Sequence, residues 1–295
     1  MHNHTENRIR ALPCWKHDIE ISVLSGGMTN MNYRIRDGDQ CCVVRLGDDV
    51  PEHLILRENE GVSSEAAARC GFSPDVLYRE PGILVIRFVD GTVFREEDIR
   101  DPEVLVRLTR LLKQFHRDMP RALNGYPILF WVFQVLRHYR NMLEQGNSPY
   151  RDQVPGLMGI ADRLEQDVGP VNLVFGHNDL LPANFIDDGS KIWLIDFDYA
   201  GFNSPLFDLS NLASNSQLDV EAERRMLGLY FDGEPGDRLW KSYNAMKCAS
   251  LLRETMWSMV SEIYSELDFD YAGYTRENDD RFRRAYQRYK QEFWS

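Results

Sequence analysis

The 295-residue chain has no run of about 18 apolar residues, so it offers no transmembrane helix. Its first residues, MHNHTENRIRALP, lack the apolar stretch that a secretory signal needs. Cysteine is scarce. Cys14, Cys41, Cys42, Cys70 and Cys248 are odd in number and show no paired metal-ligand spacing. They read as reduced structural thiols of a cytoplasmic protein. Basic residues are in deficit too: 34 Lys and Arg against 46 Asp and Glu leave a net charge of −12. A nucleic-acid partner needs a basic face, so this balance argues against one. There is no internal repeat and no low-complexity segment.

What is present is an ordinary soluble composition, 43% hydrophobic and 27% charged, on a chain long enough for one large domain or two lobes. The first ninety residues predict antiparallel sheet: IEISVL alternates, NYRIR follows, and DGDQ turns into CCVVRL. HLILRENEGVSSEAAARCGF then carries helical periodicity with Glu58 and Glu60, and DVLY and GILVIRFV predict two more strands. After Val89 the texture becomes helical. PEVLVRLTRLLKQFHRDM places Leu105, Leu108, Leu112 and Phe115 on one helix face, with Pro102 near its start. LFWVFQVLRHYRNML, EAERRMLGLYF and RLWKSYNAMKCASLLRETMWSMVSEIY predict further helices. The organisation is α+β in two lobes, 1–89 and 90–295, with a connector near 86–94.

The sharpest signal is LVFGHNDLLPANFIDDGSKIWLIDFDYAGF, residues 173–202. Two apolar strand-like runs each deliver a carboxylate to a loop, and an asparagine lies between them. Phosphoryl transfer needs a carboxylate to orient an attacking hydroxyl and oxygen ligands for Mg²⁺ on the nucleotide phosphates. Asp179 fits the base, and Asn184 and Asp196 fit the metal ligands. Aspartates that merely cap strand ends are the alternative. His177 and His116 read as structural residues.

HNDLLPAN followed by IDFDYAGFNSPLFDLSN resembles the choline/ethanolamine kinases and their aminoglycoside-phosphotransferase relatives. The resemblance spans about 20–290. It implies a protein-kinase-like bilobal fold, an N-terminal nucleotide-binding lobe, a helical catalytic and substrate lobe, and ATP and Mg²⁺ as cofactors. By the same resemblance, LSGGMTNMNYRI is the loop over the nucleotide, with Gly26, Gly27, Thr29 and Asn30. Arg45 replaces the phosphate-binding lysine, Glu60 is its helix partner with Glu58 as rival, and Arg87, Phe88 and Val89 form the connector that meets adenine.

The resemblance also places an acceptor pocket. Trp257 and Tyr274 fall where aromatic cage residues are expected, and aromatic faces suit a quaternary ammonium that cannot donate hydrogen bonds. Asp198 stands where eukaryotic members carry Glu, and Glu254 replaces a second aromatic one turn before Trp257. The expected partner is a small amino alcohol, most of all choline, acted on by a monomer or homodimer. Ethanolamine, an aminoglycoside, thiamine or a sugar are rival acceptors, and a nucleotide-binding pseudokinase is the reading from another class.

Overall fold

The computed structural model describes residues 2–24, 30–126 and 128–294. An N-terminal helix, α1 (His2–Arg10), precedes a five-stranded antiparallel sheet in the order β1-β2-β3-β5-β4, formed by β1 (Ile19–Leu24), β2 (Met31–Asp37), β3 (Gln40–Leu46), β4 (Val76–Glu80) and β5 (Ile83–Arg87). The β2–β3 hairpin turns tightly because Gly38 takes φ 60, a left-handed conformation that costs glycine little. Strand alternation sends Cys42 and Val44 into a small core shared with Ile9, Ile35 and Val85, and turns Arg45 the other way.

Helix α2 (Arg57–Arg69) lies between β3 and β4. The chain reaches it through a 3₁₀ turn, Pro51–His53, closed by Leu54 at φ 60 and a Val50–Ile55 bridge. The helix therefore starts four residues later than the apolar pattern from His53 suggests. Its Ala66 and Ala67, with Ile55 and Phe72, join the core of the larger lobe, so packing does not divide the chain where the strands end.

After the connector come β6 (Thr92–Val93), α3 (Glu96–Ile99) and α4 (Pro102–Ala122). In α4 the expected face is buried at Leu105, Leu108, Leu112 and Phe115, and Asp101 caps it by accepting from the amides of Glu103 and Val104. Helix α5 (Val132–Gln145) begins later than the LFW run suggests, because Phe130 N–H donates to Phe202 O and Leu129 bridges to Phe202. Then follow α6 (Val154–Val168), β7 (Val174–Gly176), β8 (Phe185–Asp187), β9 (Ile192–Leu194), β10 (Gly201–Asn203), α7 (Pro205–Asn215), α8 (Val220–Phe231), α9 (Asp237–Tyr264) and α10 (Tyr271–Phe293). Two small sheets, β10-β7 and β6-β8-β9, carry the loops of the HNDLLPAN and IDFDY motifs. The long helix α9 packs against α5, α6, α7 and α10, which explains why it is apolar on almost every side. No helix among the described residues is long and apolar enough to cross a membrane.

Candidate active site

Strand β7 runs into a loop whose shape is imposed from below. Asn178 takes φ 65, unusual for a residue with a Cβ. The Asn178 amide donates to Asp208 Oδ1 at 2.7 Å and the His177 amide to Asp208 Oδ2 at 2.8 Å. His116 Nε2 lies 2.8 Å from the same Oδ2, and its Nδ1 lies 2.7 Å from the Tyr230 hydroxyl. Burial pushes the Asp208 carboxyl up, but the hydrogen bond and charge of His116 win and hold it below the ordinary carboxylate value. On the far side, Leu180 N–H donates to Asn211 Oδ1 at 2.6 Å. Both flanks of the loop thus hang from α7, and Asp179 stands between them. His177 and His116 are structural here; His177 Nε2 meets Ile195 O at 2.9 Å.

Asp179 has 17% of its side chain exposed, and burial pushes its carboxyl up to about 8 while Arg253 pulls it down. The Asn184 side-chain amide donates to Asp179 O at 2.8 Å, and Ile195 N–H donates to Asn184 O at 3.0 Å. Asp196 comes next in the chain, in a left-handed conformation at φ 70, with 30% of its side chain exposed. The β8–β9 hairpin therefore sets an amide oxygen and a carboxylate beside the Asp179 loop. Oxygen donors on a rim suit a hard divalent cation.

Across the lobe boundary lies a charge network. Arg45 Nε is 3.1 Å from Glu60 Oε1, and Arg45 Nη2 is 2.9 Å from Asp196 Oδ1 and 3.3 Å from Asp198 Oδ1. Among the described residues, Glu60, Asp196 and Asp198 bring ligand atoms within 4.8 Å of one another, but Arg45 occupies that convergence. Glu58, the rival partner, is exposed and instead pairs with the half-buried Arg79 at 2.7 Å. Arg57 was not singled out by the sequence; its Nη1 lies 2.8 Å from both Glu60 Oε2 and Asp198 Oδ1. Its only signal was its place one turn before Glu60.

Asp198, expected among the acceptor residues, is 4% exposed and tied to Arg45 and Arg57. Its carboxylate is already neutralised by two guanidiniums.

The nucleotide-side residues fall into three groups. Gly26, Gly27 and Thr29 lie outside the described residues. Asn30, whose buried Nδ2 has no hydrogen-bond partner, lines a cavity of about 470 Å³ with Arg45 and Glu60. In the connector, Arg87 N–H donates to Asp75 O at 2.9 Å and Phe88 N–H to Cys41 O at 3.0 Å, while Arg34 stacks over the Phe88 ring. Those two amides are spent on the fold.

Helix α9 supplies the other side. Trp257 is 5% exposed, donates from its indole N–H to the Tyr199 hydroxyl at 2.9 Å, and stacks on His53 at 4.8 Å. Tyr274, on α10, meets the Trp257 ring edge-on at 88° and donates its hydroxyl to Glu254 Oε1 at 2.8 Å. Glu254 Oε2 lies 3.0 Å from Nη1 of Arg253. Glu254, Trp257 and Tyr274 are thus together, as the sequence suggested. Tyr199 and Arg253 were missed, although Arg253 is a cation inside an otherwise apolar helical run.

A family model described as choline/ethanolamine kinase matches residues 21–226. Protein LicA of Haemophilus influenzae is 27% identical over 220 residues, which cover 73% of this chain and 63% of that protein's length. Human ethanolamine kinase 2 is 25% identical over 291 residues, covering 89% of this chain and 75% of that one. A choline/ethanolamine kinase family protein from Mesorhizobium loti has a crystal structure that matches this one with a TM-score of 0.75 at 25% identity, over 98% of this chain and 94% of that one.

Proposed function

The chain belongs to the choline/ethanolamine kinase family, kinases that phosphorylate an alcohol, and from that premise we propose how its own residues divide the work. The acceptor is a small amino alcohol, choline or ethanolamine, and the donor is ATP with Mg²⁺. The observation that supports this most is the shared rim of Asp179, Asn184 and Asp196, joined through Arg45 to Glu60.

Asp179 orients the alcohol and accepts its proton as the oxygen attacks phosphorus. Its position is fixed before any ligand arrives, since α7 holds the amides on either side. Asn184 and Asp196 would hold a divalent cation, which would supply neutralising charge at the phosphate oxygens. Arg45 is held by Glu60 through Nε and by Asp196 and Asp198 through Nη2, so Nη1 faces the task of meeting phosphate. Arg57 keeps Glu60 and Asp198 in register with it. Glu254, Trp257 and Tyr274 receive the amine end of the alcohol.

An ADP-release assay with ethanolamine, choline and an aminoglycoside, with and without Mg²⁺, tests this directly. Turnover of one or both amino alcohols only with the metal is expected. ATP binding without turnover of any alcohol would return the chain to the pseudokinase reading.

A further inference from the structure

Inside α9 lies a guanidinium that phosphoryl transfer does not use. Arg253 is 2% exposed, and its guanidinium carbon sits 4.3 Å from the Tyr199 ring centroid. Nη1 is 3.0 Å from Glu254 Oε2 and 3.8 Å from Asp179 Oδ1. Nε and Nη2 are buried and enter no ion pair among the described residues, with the neutral Tyr139 hydroxyl beside the guanidinium. A fold gains nothing from a half-satisfied buried cation, because removing charge from water without full pairing destabilises. An apolar side chain would pack this position at lower cost.

We infer that Arg253 is the specificity-determining residue of the acceptor pocket: its guanidinium takes the Tyr199 face that a trimethylammonium group would need, so the site selects an alcohol bearing a primary ammonium. The inference rests on the amino-alcohol reading above. A quaternary ammonium is held by aromatic faces because it has no N–H to donate. Here the nearby rings are already in contact with protein groups. Tyr199 has Arg253 over its face, Trp257 stacks on His53, and Trp257 and Tyr274 meet at 88°. A primary ammonium has three donors. Two carboxylates flank Nη1 of Arg253, Asp179 on one side and Glu254 on the other. An alcohol whose hydroxyl and amine are two carbons apart reaches both, its oxygen on Asp179 and its nitrogen by Glu254. Both kinds of ammonium are repelled by Arg253, but only the primary one recovers that loss through charge-assisted hydrogen bonds.

The test is a methylation series, ethanolamine, N-methylethanolamine, N,N-dimethylethanolamine and choline, assayed as ADP release at saturating ATP with the full chain. The unmodified enzyme is expected to lose kcat/KM along the series, by about tenfold or more from ethanolamine to choline, the worth of one charge-assisted hydrogen bond. In Arg253→Leu the ratio should fall to within about threefold, with the change in KM for the alcohol and not in KM for ATP. In Glu254→Gln, a variant that does not empty the core, ethanolamine should lose about tenfold and choline less than about threefold. Thermal melts establish which variants fold; if Arg253→Leu does not, the wild-type series and Glu254→Gln decide. Choline turned over as well as ethanolamine, or a ratio unmoved in the variants, overturns the role of Arg253 while leaving the kinase reading intact. Turnover of no member overturns both.

Discussion

Two buried arginines flank the catalytic loop, and their surroundings are built on opposite lines. Arg45 stands among Glu60, Asp196 and Asp198, with Arg57 closing the far side, and the set ties β3 and α2 of the small lobe to the loop after β9. Arg253 stands beside its α9 neighbour Glu254 and Asp179 of the loop after β7. The first centre sets two guanidiniums among three carboxylates, and the second sets one guanidinium between two. On the proposed reading the first serves the nucleotide and the second the acceptor.

The strongest way to sharpen that contrast is to disable the group that lies between the centres. Asp179→Asn is expected to lower kcat by about 10³-fold while ATP affinity, measured by calorimetric titration, stays within about threefold. Retained turnover would remove Asp179 as the base. A second test stresses only the acceptor side. Burial, helped by the Arg253 charge, drives His53 down to about 3, so the ring under Trp257 is neutral in the folded protein. Because its folded value lies below the ordinary one, its stabilisation is present above pH 6.5 and is lost as pH falls towards 3. By pH 5 the loss amounts to about 2 kcal/mol, visible in urea melts, and His53→Gln should flatten the acid side of that profile. An unchanged profile would mean that another group governs acid stability.

The first centre should fail differently. Glu60→Gln leaves Arg45 and Arg57 facing fewer negative charges and is expected to raise KM for ATP about tenfold with KM for the alcohol unmoved. Glu58→Gln is the matched control. Its exposed pair with Arg79 contributes roughly 0–1 kcal/mol, and neither KM should change beyond about twofold. If both glutamates behave alike, Arg45 does not depend on Glu60 for its position.

Much of this contrast was legible in the sequence, and the illegible part has a physical cause. The periodicity of Leu105, Leu108, Leu112 and Phe115 fixed α4 because one buried face against solvent leaves a clean pattern. α9 is buried nearly all round, so periodicity could not orient it, and Arg253 was passed over. α1, α6, α7 and α10 were not singled out. Glu60 was preferred to Glu58 by its spacing to Pro74, and the packing of α2 turns Glu60 toward Arg45 and Glu58 toward Arg79. The pairing of Asp198 with two arginines was hidden for a related reason. The loop after β9 passes Asp196 at φ 70, and Asp198 turns toward the Arg45 network.

Asp208 holds the amides of His177 and Asn178 and the ring of His116 with its two oxygens. Three separate stretches of chain consequently share one anchor, and none can drift without the others. The reactive loop is a standing fixture of the apoprotein. Losing that single carboxylate would blunt the enzyme before either ligand is met, a defect that no excess of nucleotide or amine could repair.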